Sequence, residues 1–206
     1  MNRTLAIAVI LGSLVLAPIS AQGKQVGGGG RQRLTVTVCD LSKAGTVALR
    51  AAEEATTRIF RSSDIDLDWM ETKSKRCVLP LNPGFTVIII PRSADIQRTR
   101  DVMGKAIPEV GRAYIFMDLV KVFIHSFERT ESDDKAAGMI LGHAIAHELG
   151  HLLIAGEGHS QSGIMSTAWH YVQWTEASQG RLLFHPNHAA MMRDRLHVQQ
   201  AQIRLK

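Results

Sequence analysis

Apolar residues are spaced in this 206-residue chain in ways that mark out a run of strands and helices. Leu34, Val36 and Val38 alternate with Thr35 and Thr37, the period of a half-buried strand. Residues 46–61 then switch to helical spacing, with Ala48, Ala52, Ala55 and Ile59 on one stripe. In a second strand Ile65, Leu67 and Trp69 alternate with Asp66 and Asp68, which puts the acidic pair on an outer, solvated face. Residues 85–90 are an unbroken apolar run closed by Pro91, which suits a strand covered on both faces. Strand, helix, strand in this order implies a parallel pair with a right-handed crossover. Residues 93–109 are polar and irregular and read as a surface loop with some helix. A strand over 112–117 and a short helix over 118–127 follow. The helix expected to end near residues 155–158 is apolar almost throughout. Residues 187–199 form a closing helix with Ala189, Met192 and Leu196 inward.

The ends of the chain and its charge narrow the possibilities. Residues 1–21 have the pattern of a secretory signal: Arg3 at the positive end, an apolar run over 5–16, and Ile19-Ser20-Ala21 as a small-residue cleavage site. That run is shorter than the roughly 20 residues a membrane span needs, so no stable membrane insertion is expected after cleavage. The protein is expected to be secreted or periplasmic. Residues 22–31, with Gly27 to Gly30, are a glycine-rich linker. Residues 32–206 are about the length of one domain with one core. The formal charge of +5 is scattered, without a basic patch interleaved with aromatics, and this argues against nucleic acid as a partner. Cys39 and Cys77 are the only cysteines. In an oxidising compartment such a pair is most simply a disulfide.

The chemistry concentrates in the long apolar helix, where His147, Glu148 and His151 form the pattern H-E-x-x-H. Residues four apart share a helix face about 6 Å apart along the axis, close enough for two imidazoles to bind one zinc ion. Glu148 follows the first ligand directly and stands where it can act on the ion's water. Charged and polar side chains in so apolar a helix are costly to bury without a partner. His143 lies on the same face one turn earlier. His143 and His151 are about 12 Å apart along the axis, too far for one ion. The 147/151 pair has the glutamate and the 143/147 pair has Ala144, so His143 is read as packed or supporting. Glycines at 156 and 158 end the helix and let the chain turn back. The next donors are His159, the leading third ligand, and Glu157, the second candidate.

From His147 to Met165 the chain resembles the metzincin metalloproteases, which have H-E-x-x-H-x-x-G-x-x-H followed by a methionine turn. It is most similar to small secreted bacterial members. The family pattern would put glycine at 154 and histidine at 157, where this chain has Ile154 and Glu157. Its Gly156 and His159 come two residues later in the same order, as in a lengthened turn. The resemblance implies an α+β domain: a small mixed, twisted sheet, two main helices, an active-site cleft and a short C-terminal subdomain. It implies that Met165 lies beneath the metal. It also implies that the strand before the active-site helix is an antiparallel edge binding extended substrate, here Tyr114, Ile115 and Phe116. Trp169, Tyr171 and Trp174 are candidates for a pocket wall.

The resulting expectation is an exported zinc metalloendopeptidase. One Zn2+ is held by His147, His151 and His159, Glu148 is the general base, and a peptide or protein is the substrate. Two other classes fit the sequence. One is a zinc-binding envelope protein without turnover, and the other is a non-enzymatic binding module whose motif is accidental.

Overall fold

The computed structural model describes residues 30–72, 84–91, 103–125, 133–154, 156 and 158–204. Residues 1–21, expected to be a signal, most of the glycine-rich stretch 22–31, Cys77 and Glu157 lie outside the described residues. The described chain runs β1 (Gln32–Asp40), α1 (Thr46–Arg61), β2 (Ile65–Glu71), β3 (Phe85–Ile90), β4 (Gly104–Ile107) and β5 (Arg112–Phe116). Four further helices complete it: α2 (Met117–His125), α3 (Asp133–Leu153), α4 (Tyr171–Ser178) and α5 (Pro186–Arg204).

The strands form one mixed sheet in the order β2-β1-β3-β5-β4. All neighbours are parallel except β4 and β5, which are antiparallel. The crossover from β1 through α1 to β2 gives the expected parallel pair. β1 is covered more fully than its alternation suggests, since Thr37 and Cys39 are buried along with Val36 and Val38. A strand between two parallel neighbours in a helix-covered sheet has no face to give to water. Asp66 and Asp68 sit on the edge strand β2 near Arg61 and Arg33, at 3.4 and 3.3 Å, as a solvated edge should. Cys39 is fully buried and is not a free thiol.

α1 and α3 pack against each other, with α3 against β3, β4 and β5 and α1 against β2. The core runs through this seam and includes Val36, Ile89, Ile115, Leu141, Ile145 and Leu149. α3 is apolar on nearly every side because it is buried between sheet, α1 and the C-terminal helices. No described helix is long and apolar enough to cross a membrane.

Three expectations need correction. Besides the two main helices, α1 and α3, the sheet carries α2, α4 and α5, and α4 falls where only wall residues were expected. Part of the segment read as loop is a strand, β4, followed by a 3-10 turn at Pro108–Val110. The strand carrying Tyr114, Ile115 and Phe116 is not an edge. β5 is flanked by β3 on one side and β4 on the other, so its backbone groups are already paired and cannot receive a substrate strand. The edge beside α3 is β4.

Candidate metal centre

α3 carries His147 and His151 into an open cavity of about 620 Å³. The helix ends at Leu153, and the chain reverses through Gly156 (φ 82°) and Gly158 (φ 56°). Positive φ favours glycine. At Gly158 an added Cβ would also sit tightly against Ile154, at 3.3 Å, and touch the His151 ring at 3.5 Å. The reversal returns His159 to the other two histidines, with ring centroids 5.6 Å from His147 and 4.6 Å from His151. One ligand atom from each of the three lies within 4.8 Å of the others. His143 is outside this group.

The tautomer of His147 follows from its partner. Its Nδ1 lies 2.7 Å from the Ile164 carbonyl, which can only accept, so Nδ1 carries the proton. The Nε2 lone pair is left facing His151 Nε2 at 3.1 Å. Zinc bonds of about 2.0–2.1 Å in tetrahedral array place two nitrogens about 3.3 Å apart. The inner pair therefore has the separation a shared zinc ion requires, and three imidazoles are a donor set that suits it. Burial lowers the pKa of His147 to about 4, against its hydrogen bond to Ile164 and with some help from His159. Burial also lowers His151 to about 4, with His147, His159 and His188 adding to the effect. Both rings are thus neutral at pH 7, the form a metal binds.

Glu148 is 6% exposed and lines the same cavity. Burial raises its pKa to about 8, partly offset by a hydrogen bond from the Ala106 backbone N–H. β4 forms one rim of the cavity with Gly104 and Ala106, and Trp169 and Trp174 form a wall. The Trp169 indole N–H donates to the same Ile164 carbonyl as His147, at 3.1 Å. Met165 is fully buried, with its sulfur close against Gly150 of α3, one residue before His151. The Met165 carbonyl accepts from Ser160 N–H at 2.9 Å, which ties the loop after His159 to the methionine.

Of the expected site residues, His147, Glu148, His151 and His159 come together in the cavity, with Met165 beneath α3. Tyr171 does not join the wall: it is 78% exposed. Tyr114, Ile115 and Phe116 lie in the sheet interior, away from the cavity lining. Sequence reasoning missed Gly104, Ala106 and the Ile164 carbonyl, which act through backbone atoms and leave no side-chain signature. It also missed His170, which lines the cavity.

Solved structures share this fold. A zinc-dependent peptidase from Methanocorpusculum labreanum superposes with a TM-score of 0.55 at 14% identity, over 76% of this chain and 99% of that one. Archaemetzincin from Methanopyrus kandleri gives a TM-score of 0.53 at 13% identity, over 84% of this chain and 99% of that one. No protein-family model and no curated protein matches the chain.

Proposed function

We propose that this protein is a zinc-dependent metallopeptidase of metzincin type. The carrying observation is the convergence of His147, His151 and His159 on one focus, with Glu148 beside them in an open cavity. The shared fold with a zinc-dependent peptidase and an archaemetzincin supports the same reading. His147, His151 and His159 would hold one zinc ion. When bound, zinc supplies Lewis acidity, bringing the pKa of water toward 7 and polarising a carbonyl.

The chain's own residues supply the rest. Glu148 takes a proton from the attacking water and gives it to the leaving amine. With no cation beside it burial favours the protonated carboxyl; the charge of a zinc ion held by the neighbouring histidines would favour the carboxylate that accepts the first proton. Ile164 fixes the tautomer of His147, and Met165 supports the helix beneath the ligands. Trp169 and Trp174 give the cavity an apolar wall for a substrate side chain. The N-terminal pattern over residues 1–21 supports export, and Cys39 with Cys77 as a disulfide accords with an oxidising compartment.

The test is Glu148→Gln. The variant should purify with as much zinc as the parent, and its peptide hydrolysis should fall by about 10²–10⁴-fold. Hydrolysis at the parent rate would remove Glu148 as the base. Zinc without hydrolysis in the parent itself would leave a metal-binding protein and no enzyme.

A further inference from the structure

The rim strand β4 is short, but its backbone is fully assigned by its pairing. Phe116 N–H donates to the Met103 carbonyl at 2.8 Å, and the register sets Gly104 opposite Ile115 and Ala106 opposite Ala113. In an antiparallel ladder bonded and non-bonded pairs alternate. Lys105 and Ile107 therefore turn their backbone groups to β5, while Gly104 and Ala106 turn theirs outward. No described strand lies on that outer side. α3 packs against β4, and with it Glu148.

Both outward residues meet Glu148. The Ala106 N–H, which the sheet leaves unpaired, donates to its carboxyl. Gly104 lies so close that an added Cβ would stand 2.5 Å from Glu148 Cγ, 2.7 Å from Oε1 and 2.7 Å from the Tyr114 carbonyl oxygen of β5. Real Cβ atoms do not approach other atoms that closely; the β5 backbone has little room to yield, so the Glu148 side chain or β4 itself would have to move. Gly104 has an ordinary backbone conformation, absent from the positive-φ glycines. Its reason for being glycine is space.

We infer that Gly104 and Ala106 are positioning residues for Glu148: the free edge of β4 fixes where the carboxyl stands over the metal focus. The amide holds the carboxyl from one side, and the missing side chain at 104 leaves room for its stem. This rests on the reading of Glu148 as the base. A carboxyl displaced by about 1 Å from its working position can lose about 100-fold in rate.

Two measurements test it. The first needs neither metal nor activity: amide hydrogen exchange at Ala106, followed by NMR. An outward amide on a free edge exchanges fast unless something other than the sheet holds it. The Ala106 amide should be protected in the parent and exchange at least about ten-fold faster in Glu148→Ala. Lys105 and Ile107, bonded to β5, should not change. Equal Ala106 rates in the two proteins would overturn the inference. The second is Gly104→Ala, which should keep its zinc content and KM while kcat falls about 100-fold. Lys105→Ala, on the same strand, should keep the parent kcat. A Gly104→Ala variant that folds and turns over within about three-fold of the parent would also overturn it. If Gly104→Ala does not fold, the exchange measurement decides alone. A parent protein that cleaves no peptide would instead remove the peptidase reading, while the exchange measurement would still decide the contact.

Discussion

His143 and His147 are the same residue one helical turn apart, and their hydrogen bonds send them to different work. His143 donates Nδ1–H to Met139, a carbonyl of its own helix, at 2.8 Å. Its Nε2 is buried and meets no partner among the described residues. His147 donates across to Ile164, and so its lone pair faces the other ligands. Spacing in the sequence was enough to choose between them, because the glutamate follows His147 and not His143. Burial lowers the pKa of His143 to about 4. The unfolded chain then binds this proton first as pH falls, so His143 costs stability progressively from about pH 6.5 down to about 4 and nothing further below. Two units of that window correspond to about 2–3 kcal/mol. Urea unfolding at pH 7 and pH 4.5 should therefore show a loss about 2 kcal/mol smaller in His143→Leu than in the parent. An equal loss in both would mean the ring is not held neutral.

At the scale of elements, the seam between α1 and α3 places the ligands. Gly138 and Gly142 face α1 without side chains. At Gly142 an added Cβ would lie 2.6 Å from the Ala52 carbonyl and 2.7 Å from Ala55 Cβ. The Thr56 hydroxyl bridges the same seam, 2.8 Å from the Ala52 carbonyl and 2.9 Å from that of Gly142. Two opposing terms act on Gly142→Ala. Helix propensity favours alanine by about 1 kcal/mol, whereas overpacking costs about 1–3 kcal/mol. A clash with backbone has little room to relax, so overpacking wins. The variant should unfold about 1–2 kcal/mol more easily and bind zinc more weakly, as measured by denaturant titration and metal competition. Unchanged stability and zinc affinity would show that the seam can open without cost.

Long periodic elements were legible in the sequence for physical reasons. α1 follows its alanine stripe from Thr46 to Arg61, and β3 follows its apolar run. β4 was not legible, because four residues hold too few turns of the pattern to declare a period. The edge assignment of β5 failed with it, since a strand looks like an edge only while its neighbour goes unseen. α4 was hidden because Trp169, Tyr171 and Trp174 are spaced for a wall as well as for a short helix. At the metal centre the four side chains were readable, and the backbone groups that aim them were not.

For the whole molecule, the ligands come from a helix and from the loop behind it, and both pack on the sheet through the core. An ion joining them binds the folded state only, and so adds to the stability of the entire domain. At a free zinc concentration of about 100 times Kd the contribution is about 2.7 kcal/mol. For a domain of this size that is about 5–10 °C in Tm. Adding a chelator to the zinc-loaded protein should lower Tm by that amount, and His159→Ala should remove most of the difference. Identical melting with and without chelator would mean that no ion links helix and loop.

Ile164 joins two properties that are usually adjusted apart. Its one oxygen receives hydrogen both from a ligand ring and from the tryptophan that shapes the cavity. Swinging that tryptophan aside to admit a bulkier guest would leave the oxygen to His147 alone and sharpen its grip on that ring. In this architecture, a roomier pocket and a firmer hold on the ion would come as a single adjustment.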